Sequence, residues 1–80
     1  MNVIVKFFGQ HKEELNKSEI EIELKDSVTL DNLIQILKNK EPKFAKFDSY
    51  AIAVNLNYEN LNYTIEDGDE IAIIPPVSGG

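Results

Sequence analysis

The chain of 80 residues sets fourteen acidic side chains against eight basic ones, all lysine, for a net charge of −6, and contains no cysteine. An anionic surface of this kind is repelled by phosphate backbones, which excludes nucleic-acid binding, and a chain without thiols has no disulfides, iron–sulfur clusters or thiolate zinc sites. The length allows one small domain, and no apolar run approaches the roughly 20 residues of a membrane span, so the sequence predicts a cytoplasmic protein without a membrane segment or a signal peptide.

Met1 to Phe8 alternates, with Val3, Val5 and Phe7 on one face and Ile4, Lys6 and Phe8 on the other. This is the period of a strand, and Lys6 marks the second face as the wet one. Phe8 is then an aromatic at the end of a solvent-facing row. Gly9 ends the strand, and Gln10 to Ser18 reads as a polar connection with a helical turn over Lys12 to Asn16, anchored by Leu15. His11, alone in that connection with no second ligand nearby, reads as solvated and receives no role.

Glu19 to Leu24 predicts a second strand, with Ile20, Ile22 and Leu24 inward and Glu19, Glu21 and Glu23 in water. Carboxylates at alternate strand positions stand about 7 Å apart, too far to share one small cation, so this row is a solvated face. Asp26 and Ser27 turn the chain into a helix from Leu30 to Lys40. Thr29 suits the N-cap, Asp31 sits where the helix dipole favours an anion, Val28 can staple onto Leu33, and Lys38 and Lys40 complement the C-terminus before Pro42. Leu30, Leu33, Ile34 and Leu37 recur at helical spacing as one apolar stripe for the core.

Phe44 and Phe47 are the anchors of the next connection. Tyr50 to Leu56 predicts a third strand with Ile52, Val54 and Leu56 inward and Ala51 and Ala53 on the opposite face, followed by a turn at Asn55 and Asn57. Tyr58 to Thr64 holds at most a short strand, with Leu61 and Ile65 supplying apolar contacts. Glu66-Asp67-Gly68-Asp69 is a tight turn in which glycine supplies the positive φ, and it lacks the twelve-residue layout of a calcium loop. The last strand is Glu70 to Ile74, with Ile71 and Ile73 inward and Ala72 and Ile74 outward.

An amphipathic helix after a first hairpin, followed by further strands, predicts an α+β protein with the helix packed across one face of a mixed sheet, the β-grasp or ubiquitin-like arrangement. The domain is expected over residues 1–74, and residues 75–80 form an extended tail. With the first and last strands paired in parallel at the sheet centre, Phe8 and Ile74 end together on the uncovered face, Tyr58 joins them, and the three form a docking patch. In the tail, Pro75 and Pro76 stop the strand and stiffen the chain, Val77 and Ser78 extend it, and Gly79 and Gly80 have no Cβ to obstruct a narrow channel. Six extended residues reach about 20 Å, enough to hold a terminal carboxylate clear of the body.

Several of these segments together resemble the small, sulfur-carrying subunit of molybdopterin synthase. They are Phe7-Phe8-Gly9-Gln10, Val28-Thr29-Leu30, Ala53-Val54-Asn55 and the run from Asp67 through Pro75-Pro76-Val77-Ser78 to Gly79-Gly80. The proline pair and the Val-Ser after it carry more of the likeness than the glycines, which all ubiquitin-like carriers share. Gly9, where that family often has alanine, is a departure, as are Tyr58 and Ile74 at apolar contact positions.

The resemblance implies that Gly80 is adenylated with ATP by an activating enzyme and converted to a thiocarboxylate with sulfur from a sulfur-donating enzyme. It further implies that residues 75–79 thread into the large catalytic subunit, where sulfur passes to cyclic pyranopterin monophosphate. No bound cofactor and no metal are expected, and the chain acts as a protein cosubstrate without catalytic side chains of its own. The alternatives are a thiamine-type sulfur carrier, which Pro75-Pro76 disfavours, a ubiquitin-like modifier conjugated through Gly80, and a plain interaction domain.

Overall fold

The computed structural model describes residues 1–76; Val77, Ser78, Gly79 and Gly80 of the tail lie outside the described residues. Five strands are formed: β1 (Asn2–Phe7), β2 (Glu19–Glu23), β3 (Ala51–Val54), β4 (Asn57–Tyr58) and β5 (Glu70–Ile74). They make one mixed sheet in the order β2-β1-β5-β3-β4, in which only the central β1–β5 pair is parallel. Two helices, α1 (Gly9–Leu15) and α2 (Leu30–Lys40), and a 3-10 turn over Phe44–Lys46 complete the elements among the described residues. This is the β-grasp arrangement.

Strand alternation builds the core. Val3, Val5 and Phe7 of β1, Ile22 of β2, Ile52 and Val54 of β3, and Ile71 and Ile73 of β5 meet the α2 stripe of Leu30, Leu33, Ile34 and Leu37, with Phe44 closing one end. Thr29 caps α2 by accepting a hydrogen bond from the backbone of Asn32 at 3.3 Å. The next helical donors, Leu30 N–H and Asp31 N–H, are satisfied from outside by the carbonyls of Tyr63 and Leu61 at 2.9 and 3.0 Å, so the loop after β4 is tied to the start of the helix.

Four sequence expectations are corrected. The connection after β1 is a helix from Gly9 to Leu15, starting earlier than the turn read over Lys12 to Asn16, because Gly9 adopts φ 54° and bends the chain from strand into helix at once. His11 is consequently not solvated: the helix turns it inward, to 3% exposure. Leu56 does not point to the core, for β3 ends at Val54 and Leu56 stands at the hairpin tip, 90% exposed. Leu61 likewise remains half exposed, whereas Ile65 is buried.

Candidate functional site

The sheet face opposite α2 carries the candidate site, and its form follows from the strand register. Ala53 lies opposite Ala72 on one side and Tyr58 on the other, while Lys6 reaches Ala72 from β1. In the adjoining row Ala51 faces Ile74, and the step after the Phe7–Ile73 pair brings Phe8 beside Ile74. Alanines at the centre and larger side chains at the margin leave a depression of about 360 Å³, lined by Phe8, Ala53, Leu56, Tyr58, Glu70, Ala72 and Ile74. Phe8, Tyr58 and Ile74, the three residues singled out from the sequence, thus line one surface.

Leu56 is the member that strand alternation missed. Val54 and Asn57 pair across a two-residue hairpin turn, and both central residues have positive φ, 49° at Asn55 and 75° at Leu56. Such turns match the twist of the flanking strands, and their second position strongly prefers glycine. A leucine held there, almost wholly in water, carries local strain of a kind that collects at functional sites. The sequence signal was present: the turn signature of Asn55 followed by an apolar residue where glycine belongs.

A polar network fixes this hairpin to the base of β5. The Asn55 side chain donates to Asp69 Oδ1 at 2.9 Å and accepts from the Glu70 backbone N–H at 3.0 Å. Buried Asp69 also accepts from the Tyr63 hydroxyl at 3.3 Å and from the Glu66 N–H at 2.9 Å. Beside it, Asp67 Oδ1 accepts the Asn2 N–H at 2.8 Å, and Gly68, at φ 84°, donates its N–H to the Asn2 carbonyl. The Asp-Gly-Asp turn therefore sets the registry of β1, β5 and the Leu56 hairpin together. At the rim, Lys6 and Glu70 form an ion pair at 3.3 Å; both side chains are over a third exposed, so its contribution is below about 1 kcal/mol.

The tail leaves from the edge of this surface. Pro75 is half-buried and packs over Gly9, where an added Cβ would come 3.2 Å from Pro75 Cγ, while Pro76 is exposed. A second hollow, lined by Tyr50, Ala51, Tyr58 and Ile74 together with Pro75 and Pro76, joins the depression to the root of the tail. Gly80 and the other predicted tail residues, Val77, Ser78 and Gly79, are outside the described residues. Among the described residues, no group of three or more His, Asp or Glu side chains is placed to hold a metal ion. No helix among them is long and apolar enough to cross a membrane.

The model of the ThiS family matches residues 5–80. The chain belongs to the ThiS family. A molybdopterin synthase sulfur carrier subunit from Dictyostelium discoideum is 42% identical over 77 residues, covering 91% of this chain and 90% of that protein. Among solved structures, a chain of the protein–protein complex of subunits 1 and 2 of the molybdopterin-converting factor from Helicobacter pylori superposes with a TM-score of 0.72 at 36% identity, covering all of both chains. The small archaeal modifier protein 1 from Methanosarcina acetivorans superposes with a TM-score of 0.80 at 28% identity, covering 99% of this chain and 96% of that one. For a ThiS-family chain, the structure joins two features on one sheet face: an apolar depression and, at the end of the central strand β5, the root of a Pro-Pro-Val-Ser-Gly-Gly segment.

Proposed function

We propose that this chain is the sulfur carrier subunit of a molybdopterin synthase. The observation that carries the reading is the placement of the Phe8–Leu56–Tyr58–Ile74 depression beside the root of the tail at Pro75 and Pro76. Binding and delivery are separate tasks: the depression docks on the large catalytic subunit, and the tail reaches into that subunit's site.

A carboxylate is a poor electrophile. Its activation requires attack of the Gly80 carboxylate on ATP in an activating enzyme, giving the acyl-adenylate and pyrophosphate. Sulfur delivered at the sulfide level by a sulfur-donating enzyme then attacks the acyl carbon and displaces AMP, and after loss of its proton the terminus is a thiocarboxylate. In the large subunit, sulfur passes to cyclic pyranopterin monophosphate and water supplies the oxygen that regenerates the Gly80 carboxylate; a dithiolene needs two sulfurs and so two loaded carriers. ATP is consumed on the activating enzyme, and the small chain is a cosubstrate whose side chains dock and orient. The absence of cysteine suits work in a reducing cytoplasm.

The test is the intact mass of the chain after incubation with ATP, the activating enzyme and a sulfur donor. Exchange of one oxygen for sulfur at Gly80, reversed on incubation with the large subunit and its substrate, is the expected result. A second reading, a protein modifier joined through Gly80 to target lysines, is favoured by the likeness to the archaeal modifier protein. Isopeptide conjugates without thiocarboxylate would establish it instead.

A further inference from the structure

His11 lines a hollow that shares no residue with the docking depression. Its imidazole lies flat on the Phe47 ring, with centroids 4.1 Å apart and an interplanar angle of 11°, and meets the Tyr50 ring edge-on at 6.3 Å. Phe47 and Tyr50 in turn pack on Phe44, at 5.6 and 5.2 Å, so the stack is anchored in the core. Nδ1 of His11 is sealed from solvent with no hydrogen-bond partner among the described residues. A sealed lone pair on a neutral ring is tolerable, but the imidazolium adds a buried Nδ1–H that has no acceptor among the described residues. The site is built for the neutral ring.

The same ring shares a hollow with the root of the tail. His11, Phe47, Ser49 and Pro76 line one hollow, and Tyr50 lines the adjoining one with Pro75 and Pro76. Gly9, at the start of the same helix, makes the close approach to Pro75. The root of the tail is therefore seated between α1 and the segment after the 3-10 turn. Pro75 and Pro76 have fixed φ, so their seat sets the direction in which the chain leaves the domain.

We propose that His11 is a positioning residue for the tail: as neutral imidazole on Phe47 it seats Pro75 and Pro76 against α1, and protonation opens the stack and releases the seat. The functional weight of this device rests on the reading of residues 75–80 as a delivery arm. The charged and titratable groups facing His11 are Glu14 on α1, Lys46 on the 3-10 turn, and Asp48 and Tyr50 beyond it. Burial lowers the pKa of His11, partly offset by the Glu14 carboxylate, and burial also pushes the Tyr50 hydroxyl up, so that Tyr50 is neutral throughout.

The test is NMR on the full chain between about pH 8 and pH 5, spanning the ordinary histidine value near 6.5. It follows the His11 imidazole, the ring-current shift of Phe47, the Gly9–Pro75 nuclear Overhauser contact, and the amides of Val5 and Ile71 as reporters of the fold. The expected result is loss of the Phe47 shift and the Gly9–Pro75 contact with the midpoint of His11, while Val5 and Ile71 remain native. A Gly9–Pro75 contact that persists through the His11 titration overturns the proposal. So does simultaneous loss of the Val5 and Ile71 signals, which would make His11 a support of the whole domain. His11→Phe keeps a flat ring on Phe47 and is expected to hold the contact at every pH; its loss in a folded variant also counts against the idea. This titration uses neither sulfur nor the large subunit, so it can succeed where the carrier reading fails, and the reverse. With the loaded chain and the large subunit, the ratio of wild-type to His11→Phe transfer rate is expected to fall on the acid side of the same window, and a ratio independent of pH contradicts the positioning role.

Discussion

Replacing Leu56 with glycine is expected to raise stability and lower affinity together. In the folded chain Leu56 sits at φ 75° with 90% of its surface in water, so the substitution removes almost no buried area. The left-handed conformation costs an L-residue about 1 to 2 kcal/mol, and the greater freedom of glycine in the unfolded chain returns about 0.4 to 1 kcal/mol of that. The net gain is about 0.5 to 1 kcal/mol, or a rise in Tm of about 2 to 8 °C for a domain of this size. Docking reverses the sign. Full burial of a leucine against a partner contributes about 1.5 to 3 kcal/mol, so the variant is expected to bind the large subunit about 10- to 100-fold more weakly. Thermal unfolding of the free chain and calorimetric titration with the large subunit read the two effects separately. A variant of lower Tm would refute the strained-turn argument, and one of unchanged affinity would remove Leu56 from the docking surface.

Phe8→Ala and Ile74→Ala are each expected to weaken binding to the large subunit by about 1 to 3 kcal/mol, measured in the same titration, with the sheet intact by circular dichroism. Asp69→Ala leaves the Asn55 amide, the Tyr63 hydroxyl and the Glu66 N–H without their acceptor, and is expected to cost about 2 to 4 kcal/mol in urea unfolding. The buried His11 also sets a pH dependence. Its folded pKa is lowered, so the unfolded chain binds the extra proton more readily; the stability tied to neutral His11 is complete above about 6.5 and is lost as pH falls from there through the folded value. Urea midpoints measured across that range are expected to drop in the native chain and to hold steady, apart from carboxylate effects common to both, in His11→Phe.

Much of the fold was legible because its signals are local. Alternation placed Val3, Val5 and Phe7 inward, helical spacing placed the α2 stripe, and Thr29 marked the helix start at the residue where it occurs. The open face was legible for the same reason, since strand parity alone puts Ala53, Ala72 and Ile74 on one side. His11 was misread because burial in α1 is decided by distant partners, Phe47 and Tyr50, which a seven-residue amphipathic turn does not announce. Leu56 was misread because strand parity was carried one turn too far: the hairpin reverses at Asn55, where the Asn55–Asp69 bond anchors the turn, and tertiary contact overrides alternation. The network around Asp69 was hidden for a similar reason, its donors lying 3, 6 and 14 residues away in sequence.

Delivery from the terminal glycine is tested most directly by single-turnover transfer with the loaded chain. The thiocarboxylated protein, mixed with the large subunit and cyclic pyranopterin monophosphate, is expected to return to the mass of the free carboxylate as dithiolene forms, two carriers for each product, and the chain lacking Gly80 is expected to fold but yield none. Dithiolene formed at the full rate by the chain without Gly80 would contradict the role assigned to the tail.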